Sequence, residues 1–136
     1  MPIVNATVHA LYSRAFRNTA GSWPSIVYMS LLKSAPALDG SSLVEFTAAD
    51  FVQYARQAIT FGSPASRAMA NSAPVLFASS ATMGVPAVAT HYGIHDALTS
   101  GNLMFWGQLT SPFSIGASSL VNFPIGQVTL TNIGTA

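Results

Sequence analysis

The first hydrophobic rhythm along the chain is helical. Val4, Val8, Leu11, Tyr12, Ala15 and Phe16 recur at intervals that line one face of a helix with 3.6 residues per turn. Asn5 carries a capping oxygen and Gly21 stands where the run must stop, so the pattern predicts a helix over residues 5–18. Its Val8, Leu11, Ala15 and Phe16 are expected to face the core. After Trp23-Pro24 the texture changes. Residues 25–33 are apolar and rich in strand formers between Pro24 and Pro36, the pattern of a strand buried on both faces. Asp39-Gly40 marks a turn, and Thr47 with Asp50 opens a short helical turn before strand texture resumes from Tyr54.

A period of two governs the second half. Val88, Thr90, Tyr92 and Ile94 alternate with Ala89, His91, Gly93 and His95, and Val128 and Leu130 alternate with Thr129 and Thr131. Residues 67–78, 86–97, 102–110, 119–123 and 127–133 read as further short strands. Gly84, Gly101, Gly116 and Gly126, with Pro64, Pro74, Pro86, Pro112 and Pro124, separate them at the spacing of roughly 8 to 12 residues expected of a sandwich. No strand–helix–strand rhythm appears. The expected fold is mainly β, an antiparallel β-sandwich in which a jelly-roll arrangement is one form, with one N-terminal helix. With neither repeat nor linker, the 136 residues are read as one domain, 1–136.

Composition changes this picture in one respect. Only 7% of residues are charged, against roughly 25% in an average soluble domain, while 50% are hydrophobic. A surface with so little charge resists association poorly, which implies that partners cover much of it. The net charge of +1 is too small for a surface that tracks phosphates, so no nucleic-acid partner is expected. Ser, Thr, Asn, Gly and Pro interrupt every apolar run well short of the roughly 18 residues of a membrane span, so no membrane partner is expected either. The arginines of the N-terminal segment follow its apolar part, the reverse of a secretory signal, and nothing is expected to be removed. Cysteine is absent, which excludes disulfides, thiolate metal sites and Cys nucleophiles.

Candidate chemistry is thin. His91 and His95 have the spacing that binds zinc on a helix, but on a strand their positions lie about 13 Å apart, and His9 belongs to another element. Asp96 adjoins His95, yet neighbours on a strand point to opposite faces and no Gly-x-Ser-x-Gly elbow occurs. Of the carboxylates Asp39, Glu45, Asp50 and Asp96, three sit beside turn or cap signals. Lys33 follows a strand rather than a glycine-rich loop, so no phosphate cradle forms around it. Asn5-Ala6-Thr7 matches a glycosylation acceptor by chance. No catalytic residue, cofactor or metal is expected. Arg14 and Arg17 form a basic-aromatic cluster with Tyr12, Phe16 and Trp23, and Met104-Phe105-Trp106 is a second apolar cluster. The interface candidates are therefore Arg14, Arg17, Trp23, Met104 and Trp106.

Four segments stand in a distinctive order: Phe16-Arg17-Asn18-Thr19-Ala20, Tyr54-Ala55-Arg56-Gln57-Ala58-Ile59-Thr60-Phe61, His91-Tyr92-Gly93-Ile94-His95-Asp96-Ala97 and Gly101-Asn102-Leu103-Met104-Phe105-Trp106-Gly107. The combination resembles a family of small tailed-bacteriophage virion proteins commonly labelled tail fibre proteins. The resemblance runs from the helix to the final strand. It departs at residues 116–119, which lack the acidic turn residue of the pattern, and in the texture of the loop over residues 35–50. It implies a β-rich structural protein without catalysis, some members acting as capsid cement or decoration proteins. The leading expectation is thus a cement protein on the outer capsid surface that binds the major capsid protein and itself, as a homo-oligomer such as a trimer. A tail or tail-fibre component is the alternative, and an enzyme or receptor-binding module represents another class.

Overall fold

The computed structural model describes residues 3–19, 23–50, 53–78, 87–115 and 120–131. One helix, α1 (Asn5–Arg17), precedes eight strands: β1 (Val27–Leu32), β2 (Gln57–Ile59), β3 (Ala68–Ala70), β4 (Val75–Ala78), β5 (Ala87–His95), β6 (Leu103–Ile115), β7 (Leu120–Phe123) and β8 (Thr129–Thr131). The chain is mainly β, and every pairing between strands is antiparallel. A four-stranded sheet runs β2-β1-β5-β6, and two ribbons pair β3 with β8 and β4 with β7. The pairings β5–β6, β4–β7 and β3–β8 are nested, as in one long hairpin folded over itself. Among the described residues the two ribbons do not join into one second sheet, as a complete jelly roll of two sheets requires.

One apolar cluster holds the sheet and ribbons together. Met29 and Leu31 of β1, Ile59 of β2, Ala89 and Ile94 of β5 and Ile115 of β6 meet Val75 and Phe77 of β4 and Val128 just before β8. The expected doubly buried strand is present, since Met29, Ser30, Leu31 and Leu32 are all buried. The alternation in β4 is clean, with Val75 and Phe77 inward and Leu76 and Ala78 outward. The Asp39-Gly40 turn is also present: Gly40 takes a positive φ of 82° and the Asp39 carboxylate accepts the Ser41 N–H at 2.8 Å.

Four sequence expectations need correction. Val4, not Asn5, caps α1, because its N–H is held by Met104 O at 3.0 Å while the Asn5 N–H goes to Leu38 O at 2.9 Å. The helix stops at Asn18 in the left-handed conformation, and Gly21 lies outside the described residues. In the stretch from Tyr54 to Phe61, strand structure is confined to β2 and an isolated bridge from Phe61 to Asn71. Pro112 lies inside β6 rather than between strands. That position is tolerated because β6 is the sheet edge and because its register against β5 slips between the His91↔Gln108 and Ala89↔Phe113 pairs, leaving residues 109–112 of β6 opposite Thr90 alone. Thr47 and Asp50 form their turn, with Thr47 N–H donating to Asp50 Oδ2 at 2.8 Å. Phe51 and Val52, which follow it, lie outside the described residues.

Candidate interaction surface

The largest departure from expectation is in α1. Its first turn is anchored to the body: Ile3 bridges to Phe105, Val4 is buried, and Thr7 is buried as well. Beyond that turn the helix projects. From His9 to Thr19 every residue except Ser13 is exposed, with Leu11 at 41%, Tyr12 at 60% and Phe16 at 82%. Thus Leu11, Ala15 and Phe16 do not face the core as their periodicity suggests, and Val8 is only half-buried. The core is already filled by the sheet and ribbons, and α1 reaches the body through small side chains. Ala10 and Ser13 line a pocket of about 220 Å³ with Trp23, Met104 and Asn102 on its far side. The rings of Tyr12 and Phe16 meet each other instead, centroids 6.0 Å apart. A helix of 13 residues is marginal in water without a packed face.

The five interface candidates separate. Arg14 and Arg17 are exposed in the last turn of α1, where they also complement the helix dipole. Trp23 is half-buried beside the helix. Met104 is buried beneath α1, so it belongs to the body rather than to an outer patch. Trp106 is half-buried, edge-on to His91 at 5.6 Å between centroids. A second outward apolar surface, which sequence reasoning missed, lies on the β4–β7 ribbon. There Leu76 is 48% and Leu120 67% exposed, beside Ala78 and Asn122 and with no charged residue in either strand. The outward half of the β4 alternation was the available signal.

His91, His95 and Asp96 each hold a structural hydrogen bond, while His95 Nδ1 is buried without a partner among the described residues and His9 is exposed on α1. His91 and His95 lie on β5, where His91 Nδ1 bonds Thr90 Oγ1 at 2.8 Å and His95 Nε2 bonds Ser30 Oγ at 2.8 Å. Burial holds the His91 ring below its ordinary pKa. Burial drives His95 down to about 4, with the nearby Arg56 charge acting in the same direction, while Glu45 and Asp96 oppose it. Asp96 closes the loop before β6, accepting from the Asn102 backbone at 2.6 Å and side chain at 2.8 Å. Burial raises its pKa, but those hydrogen bonds outweigh burial and leave it lowered. Among the described residues, no three His, Asp or Glu side chains gather into a metal site.

One polar cluster was not foreseen from sequence. Glu45 receives Arg56 Nε at 3.0 Å, Arg56 Nη2 at 2.8 Å and the Tyr54 hydroxyl at 2.7 Å. Arg56 Nη1 also donates to the carbonyls of Ala97 and Ser100. Burial raises the Glu45 pKa, yet its Arg56 and Tyr54 hydrogen bonds prevail and keep it ionised. Burial and the Glu45 charge push the Tyr54 hydroxyl upward, so it stays a donor. This arrangement ties the β1–β2 connection to the β5–β6 loop.

Among the described residues, no helix is long and apolar enough to cross a membrane. No curated protein matches the chain. A family model described as podophage GP4 fiber I protein gp80 matches residues 2–131, nearly the whole sequence and every element described above. The chain belongs to the podophage GP4 fiber I protein family.

Proposed function

We propose that this bacteriophage virion structural protein is a non-catalytic subunit of the tail-fibre apparatus. The family match over residues 2–131 carries the reading, since the family takes its description from a fibre protein. The physical character of the molecule supports it: apolar surfaces face outward on α1 and on the β4–β7 ribbon, while His95 and Asp96 serve internal bonds. Self-association into a homo-oligomer, a trimer among the forms open to it, uses the outer face of the β4–β7 ribbon. Identical faces built from Leu76, Ala78, Leu120 and Asn122 carry no charge and do not repel one another.

Labelling the chain in purified particles, with imaging and copy counting, tests the position. Density at the tail and a few to tens of copies are expected. Density over the whole shell at hundreds of copies overturns the tail position in favour of a capsid cement protein bound to the major capsid protein.

A further inference from the structure

The two outward apolar surfaces differ in charge, and the difference decides what covers each. On α1, Arg17 shares a shallow depression with His9, Tyr12 and Phe16, and Arg14 lies in the same last turn. Among the described residues neither arginine forms an ion pair. The chain's four carboxylate side chains are all engaged within it: Asp39 with Ser41, Glu45 with Arg56, Asp50 with Lys33 and Asp96 with Asn102. Two of the four, Glu45 and Asp50, already pair with cations and Asp96 closes on Asn102, so a second copy offers these arginines little beyond the lone Asp39, and two copies of α1 face to face set cation against cation.

We propose that the projecting half of α1 docks into a different virion protein, one that presents an apolar groove rimmed by Asp or Glu. The proposal deepens the virion reading above and rests on it. Tyr12 and Phe16, four residues apart, enter the groove as anchors, with His9 one turn before Tyr12, in the manner of an amphipathic helix laid into a cleft. Arg14 and Arg17 meet the acidic rim and fix orientation. Docking also supplies the packed face that residues 9–19 lack in the isolated chain.

The test uses virions that carry a photo-reactive benzoylphenylalanine in place of Phe16, with the cross-linked peptide identified by mass spectrometry. An adduct to another virion protein, at a segment containing Asp or Glu, is expected. The double variant Arg14→Glu/Arg17→Glu should lower the chain's content in particles about tenfold or more, because it sets like charges against the rim. Its melting temperature should fall by no more than a few degrees, since both side chains are exposed and lose only their interaction with the helix dipole, and Arg67→Glu should change neither quantity. An adduct joining two copies of this chain overturns the docking but leaves the virion reading standing, as does normal incorporation of the double variant. Absence of the wild-type chain from purified particles overturns both.

Discussion

Asn71 shows how one buried polar residue can join distant parts of a small β domain. It is 1% exposed, yet its side chain donates to the Ala73 and Pro124 carbonyls at 2.8 and 3.0 Å and accepts the Val128 N–H at 2.9 Å. The corner between β3 and β4 is thereby pinned to the turn between β7 and β8. Asn71→Leu strands the Val128 N–H and the Pro124 carbonyl, and should cost about 2–4 kcal/mol, read as a lower denaturant midpoint at unchanged slope. Asn71→Asp keeps the acceptor but loses both donors, so it should not rescue the loss. His95 makes a different demand, because it is fully buried and held neutral. Its pKa is about 4 in the folded chain against an ordinary 6.5, so between those values the unfolded chain binds a proton that the folded chain refuses. Stability should therefore be fully retained above about pH 6.5 and fall as pH drops toward 4, by up to about 1.4 kcal/mol per unit. The lowered carboxylates Glu45, Asp50 and Asp96 add their losses only at still lower pH. Melting of His95→Gln between about pH 7 and about pH 5 should keep only the smaller slope that His91, also held down by burial, contributes; a flat wild-type profile would show that the His95 ring is not held neutral.

At the scale of elements, α1 separates what periodicity can tell from what it cannot. The spacing of Val4, Val8, Leu11, Tyr12 and Phe16 places a helix within one residue of its true bounds. It does not say what the apolar face meets, because that depends on whether other elements have already filled the core. Leu11→Asp measures the distinction: at a core position it would cost several kcal/mol, whereas at a residue 41% exposed the cost should stay within about 1 kcal/mol. Leu31→Ala, at 0% exposure in β1, should lose about 2–5 kcal/mol in the same assay. If Leu11→Asp proved as costly as Leu31→Ala, α1 would be docked along its length. Strands β1 and β5 were legible for the same local reasons, but the alternation expected of β5 fails, since the bulge between Ala89 and His91 breaks it and both faces are buried from Tyr92 to His95. Contacts across the chain were not legible. The Val4 cap is set by Met104, Pro112 is accepted because β6 is an edge, and Arg56 reaches the Ala97 and Ser100 carbonyls only when the β1–β2 and β5–β6 connections converge. Gly107 is a further case. A strand glycine reads as a weak point, yet the Tyr92 ring lies so close across it that an added Cβ would meet ring carbons at 2.7 and 2.8 Å.

For the whole molecule, the scarcity of charge is also a matter of allocation. Of five cations and four carboxylates, Lys33 and Arg56 are paired and all the carboxylates are engaged, which leaves Arg14, Arg17 and Arg67 facing outward. Two of these three lie on α1, so electrostatics can orient that contact but cannot supply most of its strength. The apolar side chains must do so, and apolar contact does not weaken as salt is added. Raising ionic strength from about 0.1 M to about 1 M shortens the screening length from about 10 Å to about 3 Å, which removes only the contribution of the exposed cations. The chain should therefore remain bound to particles across that range, with its rate of reattachment falling more than its retention. Phe16→Ala should reverse this behaviour, releasing the chain already at low salt, because it deletes the most exposed large apolar side chain on α1 without altering any charge. Complete release of the wild type at about 0.3 M salt would show instead that ion pairs carry the attachment, at odds with so small a number of free charges.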